Sequence, residues 1–145
     1  MSELAVNRRA TFDYEIFEKF EAGIELKGFE VKSVAAGRAN LAGAHAIIRN
    51  GEAWLVNLDI PPYQPNNTPS GYDPKRTRRL LLNRSEISAL IGKTKEKGLT
   101  LVPLKMYHKN GKIKVEIGLG RNRKKADKRD IIRKREVARE IREGF

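Results

Sequence analysis

The chain of 145 residues contains no cysteine and only two histidines. Without cysteine it has no disulfide, no thiolate-bound zinc, no iron–sulfur cluster and no cysteine nucleophile. The histidines, His45 and His108, are too far apart in sequence to form a metal-binding pair on one helix. No apolar run reaches the roughly 18–20 residues of a membrane span, and the first residues lack the apolar core of a secretory signal. We therefore expect a cytoplasmic protein without metal or cofactor.

Positive charge is abundant, with 30 Lys and Arg against 18 Asp and Glu, a net charge of +12. This excess predicts a polyanionic partner. RNA or DNA fits better than a membrane, because no long basic amphipathic helix carries large apolar anchors. Residues 121–145 hold 11 of the 30 basic residues and half of the net charge. We predict one domain over 1–120 and a basic tail over 121–145, with a boundary at Gly118-Leu119-Gly120.

The pattern of the predicted domain is mainly β. Two Asn-Gly pairs, Asn50-Gly51 and Asn110-Gly111, stand between strand-like segments and predict tight hairpins. Between the hairpins, a proline-rich basic loop over 61–79 precedes one helix, which begins with a capping box at Asn83 and ends at Gly98. These elements predict a mostly β, OB-fold-like closed barrel of about six strands with one main helix. A β-sandwich is the alternative.

Two segments outside the hairpins carry weaker signals. Residues 14–20 alternate as a half-buried strand, and Gly23 and Gly28 predict a turn and a bulge around a further strand ending at Val31. Residues 33–37 allow only one helical turn. In the tail, oppositely charged residues recur at helical spacing, but each such pair adds only about 0.2–0.5 kcal/mol. We predict that the tail is disordered alone and becomes helical against a polyanion.

Six acidic residues cluster early in the chain, and paired carboxylates can hold Mg²⁺ in a nuclease. They are Asp13, Glu15, Glu18, Glu21, Glu25 and Glu30. Alternation along strands turns several of them to solvent, which favours charge balance over a metal site. No nucleophile triad accompanies them. A metal-dependent RNA-processing enzyme is kept as an alternative that predicts cleavage with Mg²⁺, abolished by Glu21→Gln.

Three basic clusters favour nucleic-acid binding, although each alone is typical of a solvated patch. They comprise Arg8 and Arg9 in an N-terminal arm; Lys75, Arg76, Arg78 and Arg79 in the loop; and Arg121, Arg123, Lys124 and Lys125 at the start of the tail. An arm, a loop and a tail together form a reasonable grip on one large RNA. The motifs of RRM and KH modules are absent. From the residues alone, the prediction is a basic single-domain RNA-binding protein.

Several stretches in order along nearly the whole chain resemble the SsrA-binding protein (SmpB) family of bacterial trans-translation. They are NRR (7–9), FEAG (20–23), GFEVKS (28–33), GRAN (37–40), NGE (50–52), DPKRTRRLLLN (73–83), LGRNRKK (119–125) and DKR (127–129). Each stretch is weakly specific alone, and the set is highly specific. Many members carry His or an aromatic residue before the DKR triplet, where this chain has Ala126.

The resemblance implies an OB-type barrel with a flexible C-terminal tail and no enzymatic activity. Members bind the tRNA-like domain of transfer-messenger RNA (tmRNA) and deliver it, with elongation factor Tu and GTP, to stalled ribosomes. The tail is thought to enter the vacant mRNA channel of the small subunit, near the decoding centre. The alternative is a basic ribosome-associated structural protein, which predicts no preference for the tRNA-like domain. In either case we expect a monomer.

The resemblance also assigns residues by position. RNA-binding motifs fall on Asn7, Arg8, Glu21, Gly23, Lys27, Leu81 and Lys114, and the ribosome-facing motif falls on Lys124, Lys125, Asp127, Lys128 and Arg129. A buried Glu21 either holds the first strands or accepts a hydrogen bond from a base or 2′-hydroxyl. Leu81 is either core or a surface contact. Asp127 is expected to cap the helix that begins in the tail.

Overall fold

The computed structural model describes residues 2–143, so Gly144 and Phe145 of the predicted tail lie outside the described residues. The strands are β1 (Ser2–Val6), β2 (Tyr14–Ile24), β3 (His45–Arg49), β4 (Glu52–Val56), β5 (Arg78–Leu81), β6 (Thr100–Lys109) and β7 (Lys112–Asn122). The α-helices are α1 (Ala10–Asp13), α2 (Gly28–Ala35), α3 (Arg84–Lys97) and α4 (Lys125–Glu143), and a 3₁₀ turn covers Pro65–Asn67.

Six strands close a barrel in the order β6-β3-β4-β5-β2-β7, with β7 pairing back onto β6. All of these pairings are antiparallel. β6 pairs with three strands. Besides β7, its first residues pair with β3 and its last residues pair with the additional strand β1. The ring confirms the predicted OB-fold-like closed barrel and replaces the sandwich alternative.

Both predicted hairpins are present. Asn50 and Gly51 have φ values of 54° and 73°, and Asn110 and Gly111 have 54° and 74°. Two successive positive φ values give the turn twist that suits adjacent antiparallel strands, and Asn and Gly tolerate them best. The sequence therefore sets two of the six barrel pairings locally.

The interior is filled by aliphatic residues from the strands and from α3. One cluster contains four completely buried side chains, those of Leu55, Leu90, Met106 and Val115. Helix α3 has the predicted capping box, in which the Asn83 side chain accepts from the backbone N–H of Glu86 at 2.8 Å. Its residue Leu90 places the helix against the barrel core.

The prediction for residues 23–37 is wrong in two respects. β2 continues through Gly23 to Ile24, and the segment beginning at Gly28 forms the eight-residue helix α2. The Glu30 carboxylate accepts from the backbone N–H of Lys27 at 2.8 Å and so satisfies a free donor at the start of this helix. The bulge in this region lies instead at Phe17, where the β2–β7 register shifts.

The predicted loop 61–79 ends earlier than expected, because Arg78 and Arg79 already belong to β5. Arg78 is 0% exposed. Its guanidinium donates to Glu30 Oε2 at 2.6 and 2.8 Å and to the Leu58 carbonyl at 2.6 Å. Arg76 also pairs with Glu30. The end of the loop is thus fixed to α2 by a buried ionic network.

The end of the barrel lies slightly beyond the predicted boundary. Gly118, Leu119 and Gly120 are buried residues of β7, which continues to Asn122. The tail then forms helix α4, whose first turn contains Asp127. The Asp127 carboxylate accepts from the backbone N–H of Lys124 at 3.3 Å, as expected for a residue that caps this helix.

Candidate nucleic-acid interface

Three predicted RNA-binding residues meet in one row across the barrel. Gly23 on β2 pairs with Leu81 on β5 and with Lys114 on β7. A Cβ atom at Gly23 would lie 3.2 Å from the Leu81 Cβ, so glycine permits this close approach. Leu81 is 47% exposed, which makes it a surface residue and not part of the core. Lys114 points away from buried Ile113, as the strand alternation predicts.

Glu21 lies two residues from Gly23 along β2 and extends the same face. The expectation that Glu21 is buried is wrong, since its side chain is 37% exposed. Glu21 Oε2 accepts from the Tyr107 hydroxyl at 2.8 Å and from Lys109 Nζ at 3.0 Å. The hydrogen bond from Tyr107 and then that from Lys109 lower the pKa of Glu21, so the group is an anionic acceptor at neutral pH.

Tyr107 is a functional candidate that lies outside the basic clusters and family motifs of the sequence. Tyr107 is only 3% exposed, yet its hydroxyl donates a hydrogen bond to the exposed carboxylate of Glu21. Strand alternation places Lys105, Tyr107 and Lys109 on one side of β6, and that signal was available in the sequence. The sequence does not show that Glu21 is the partner of Tyr107, because the two residues lie 86 positions apart in the chain.

A shallow recess of about 340 Å³ adjoins this row. We call the recess and its rim the Glu21 face; it comprises Glu21, Gly23, Leu26, Val31, Leu81, Tyr107, His108, Lys109, Lys112 and Lys114. Three lysines of β6 and β7 contribute cations, and Val31 and Leu81 contribute exposed apolar surface. Cations for phosphate, apolar surface for a base or ribose, and one acceptor suit RNA.

Asn7, Arg8 and Arg9 do not join the Glu21 face. Asn7 is bound to β6, donating from its side chain to the Pro103 carbonyl at 3.0 Å and from its backbone to Leu104 at 2.8 Å. These residues line a separate cleft of about 740 Å³, which shares no lining residue with the first recess. Arg8 is exposed beside it.

The basic loop contributes less than predicted. Lys75 is exposed and free to contact phosphate, whereas Arg76 is largely engaged by Glu30. Arg78 is completely buried, so the prediction of a direct RNA contact for this residue is wrong in the folded barrel. Lys27 lies exposed at the start of α2.

Glu30 remains ionised inside this network. Burial opposes its charge, but the hydrogen bonds from Arg76, the Lys27 backbone and Arg78 outweigh that cost and lower its pKa to about 2. Burial and the contact with Glu30 together raise the pKa of Tyr72, another member of the network, to about 12. The network anchors the loop and leaves Lys75 at its surface.

The first tail residues are held against α1. Arg123 donates from its backbone to the Asp13 carbonyl at 2.9 Å and from its side chain to the Thr11 carbonyl at 3.2 Å. Lys128 Nζ lies 3.3 Å from Asp13 Oδ1 and 5.7 Å from the centre of the Phe12 ring. A hydrogen bond from Arg9 is the main cause that lowers the pKa of Asp13. No pattern in the sequence predicts this contact.

The other tail cations of the predicted set are exposed. Arg121 is exposed over the Phe17 ring at 5.5 Å and pairs with Glu15 at 3.5 Å. The other exposed tail residues of the predicted set are Lys124, Lys125, Asp127 and Arg129. A basic helix thus leaves the barrel on the side of α1.

Within residues 2–143, no helix has the length and apolarity to cross a membrane. Over the same residues, no three His, Asp or Glu side chains gather in a way that would hold a metal ion. The acidic residues that the sequence clusters are instead dispersed among ion pairs with neighbouring lysines and arginines, such as Lys93 with Glu18.

A closed antiparallel barrel with a cationic, partly apolar face and a basic helical extension defines the class of small OB-type nucleic-acid-binding proteins. Within that class, the chain belongs to the SmpB protein family, whose model matches residues 4–145. It is 55% identical to the SsrA-binding protein of Gloeothece citriformis over 93% of this chain and 87% of that protein.

A further relative and a solved structure support the same family membership. The SsrA-binding protein of Carboxydothermus hydrogenoformans is 54% identical over 95% of this chain and 92% of its own length. A solved structure described as "tmRNA-SmpB: a journey to the center of the bacterial ribosome" superposes with a TM-score of 0.68 at 46% identity, covering 88% of this chain and 93% of that one. The resemblance seen in the sequence motifs is therefore confirmed.

Proposed function

We propose that this protein is the RNA-binding adaptor of ribosome rescue by trans-translation. It binds the tRNA-like domain of tmRNA and delivers it to stalled ribosomes, where the tail enters the vacant mRNA channel. The observation that carries this proposal is membership of the SmpB family along the chain, at 55% identity to proteins named for binding SsrA RNA. The Glu21 face supplies the acceptor, apolar and cationic groups that such binding needs.

The two parts of the molecule divide the work. The barrel binds the tRNA-like domain through the Glu21 face, with Asn7, Arg8, Arg9, Lys27 and Lys75 as further contacts. The tail contacts small-subunit RNA near the decoding centre through Arg121, Arg123, Lys124, Lys125, Asp127, Lys128 and Arg129. The change from strand β7 to helix α4 after Asn122 supports this division.

The protein acts as a monomer in the cytoplasm, without catalysis and without a cofactor. Elongation factor Tu with GTP joins it indirectly, through the shared RNA. The positive charge of the whole chain supports an RNA partner, and the dispersal of its carboxylates into ion pairs supports binding rather than cleavage.

A binding competition tests the proposal. The tRNA-like domain of tmRNA and ordinary tRNA, at equal concentration and about physiological salt, compete for the purified protein. A clear preference for the tRNA-like domain is expected. Equal binding would leave a general basic RNA-binding protein, and RNA cleavage on addition of Mg²⁺ would favour an enzyme.

A further inference from the structure

We infer that Tyr107 and Lys109 are positioning residues of the RNA interface, which hold the Glu21 carboxylate so that its second oxygen accepts a hydrogen bond from RNA and makes binding selective. The inference deepens the proposed function and rests on it. It adds two residues and a specific task to the Glu21 face.

The geometry of the carboxylate is the main evidence. Both donors contact the same oxygen, Oε2, at 2.8 Å from the Tyr107 hydroxyl and 3.0 Å from Lys109 Nζ. Among the described residues 2–143, Oε1 of Glu21 has no hydrogen-bond partner. A carboxylate has acceptor sites on both oxygens, so Oε1 retains its full capacity.

Burial makes the arrangement rigid. The Tyr107 residue is 3% exposed, so its ring is fixed by packing and its hydroxyl is a fixed donor. The Glu21 side chain is 37% exposed and would otherwise move among several rotamers at the surface. Two donors on one oxygen fix the direction of the other oxygen before RNA arrives. Pre-organisation of this kind lowers the entropic cost of binding.

The negative charge of Glu21 makes this residue act on the selectivity of RNA binding. A carboxylate repels phosphate, so it weakens binding to any polyanion that offers no hydrogen-bond donor at this place. RNA offers donors as base N–H groups and ribose 2′-hydroxyls. Lys114 and Leu81 lie on the same face and supply a cation and an apolar contact. An RNA that presents a donor at the right position gains the bond, and other RNAs keep only the repulsion.

The protonation states agree with this task. Hydrogen bonds from Tyr107 and Lys109 lower the pKa of Glu21, which keeps it an acceptor. Burial and the bond to Glu21 raise the pKa of Tyr107, which keeps its hydroxyl a donor. The pair therefore stays in the required state throughout the neutral range.

The test compares Tyr107→Phe with the unaltered full chain. Phe keeps the buried ring and removes only the hydroxyl. Dissociation constants are measured for the tRNA-like domain of tmRNA and for ordinary tRNA. We expect affinity for the tRNA-like domain to fall about three- to tenfold while tRNA affinity stays within about twofold. Lys109→Gln gives a smaller loss, and the control Lys95→Gln, at an exposed lysine of α3 outside the Glu21 face, leaves the selectivity ratio unchanged.

A double-mutant cycle separates positioning from general support of the barrel. If Tyr107 acts through Glu21, then Tyr107→Phe has no further effect on selectivity in a Glu21→Gln background. In the otherwise unaltered chain, an NMR titration of the Glu21 carboxyl shows a higher pKa after Tyr107→Phe. Additive losses, or equal losses for both RNAs, would overturn the inference.

Two outcomes distinguish the inference from the proposed function. If the unaltered protein prefers the tRNA-like domain and Tyr107→Phe keeps that preference, only the inference fails. If the unaltered protein has no preference, the proposed function fails and the inference with it.

Interference mapping identifies the donor. Copies of the tRNA-like domain carry single 2′-deoxy nucleotides or inosine in place of guanosine. Interference at one 2′-deoxy position that disappears with Glu21→Gln assigns a ribose hydroxyl, and the same behaviour of an inosine assigns a guanine amino group. Interference patterns that Glu21→Gln leaves unchanged at every position would count against the inference.

Discussion

Lys75 and Arg78 stand three residues apart in one basic stretch, yet the fold uses them in opposite ways. Lys75 is exposed, whereas Arg78 is buried against Glu30. Composition alone treats both as candidates for a phosphate contact. Only the tertiary partner, Glu30, which lies 48 residues earlier, separates them. A charge pattern in a sequence therefore predicts that a polyanion binds but cannot tell which cations remain available.

The buried pair gives a prediction for stability. Glu30→Gln leaves the guanidinium of Arg78 buried without its counter-charge, and we expect a loss of about 3–5 kcal/mol in the free energy of unfolding. Urea unfolding measures the loss. Glu25→Gln is the matched control, because Glu25 is 57% exposed and pairs with Arg79 at 3.6 Å; its expected effect is below about 1 kcal/mol. Similar losses for both variants would contradict the network.

The same residue predicts a pH dependence. The pKa of Glu30 is about 2 in the folded chain, below the ordinary value of 4.5. A lowered folded pKa means that its stabilisation is complete above pH 4.5 and is lost as pH falls toward 2. Urea unfolding at a series of pH values from 7 to 2 tests this. The slope over that acidic window is expected to be shallower for Glu30→Gln than for the unaltered chain.

Gly23 gives a prediction for the Glu21 face. Gly23→Ala introduces a Cβ only 3.2 Å from Leu81, so Leu81 must shift. We expect binding of the tRNA-like domain to weaken about three- to tenfold, which corresponds to about 0.7–1.4 kcal/mol. Gly28→Ala is the control, since no atom lies within 4 Å of its added Cβ. Equal binding by both variants would show that the position of Leu81 is unimportant.

At the scale of elements, local signals predicted what local contacts determine. The Asn-Gly hairpins and the capping box of α3 depend on residues within a few positions, and all were predicted correctly. Helix α2 was missed because the Glu30 that caps it is also fixed by Arg76 and Arg78 from a distant loop. The bulge at Phe17 was missed because it depends on the register of β2 with β7. Pairings between distant strands leave no trace in a local pattern.

The candidate site also contains residues that the sequence predicts and residues that only the tertiary structure connects to it. Family motifs placed Gly23, Leu81 and Lys114, which the barrel brings into one row. Tyr107 and Lys109 complete the acceptor but lie outside the motifs, and only the register of the barrel connects them to Glu21.

Helix α4 gives a prediction about docking. Asp13 carries the one carboxylate that α1 offers to Lys128 among the described residues. Asp13→Asn weakens this contact, and amide hydrogen exchange in the first turns of α4 is expected to become about two- to fivefold faster, since an isolated basic helix is marginal. Asp73→Asn, on the exposed loop, is the control. Unchanged exchange would mean that Asp13 does not hold the helix.

On the scale of the whole molecule, the charge is divided between two tasks. In the proposed function, the barrel recognises shape and donors on one RNA domain, and the tail adds cations without a fixed pocket. Half of the net charge of +12 lies in residues 121–145. If the two parts act separately, removing the tail changes general polyanion binding more than recognition of the tRNA-like domain.

Truncation after Arg123 tests this division, because a cut there keeps all of β7 and the contacts of Arg123 with α1. Salt dependence is measured for the truncated and the full chain, with the tRNA-like domain and with poly(U). For poly(U), the log–log slope is expected to fall by about 0.7 for each phosphate contact that the tail made. For the tRNA-like domain, slope and affinity stay nearly unchanged, while tagging of stalled chains in a reconstituted translation system is lost. Equal loss of slope with both RNAs would mean that the tail grips the tRNA-like domain as well, and the two parts would then form one continuous binding surface.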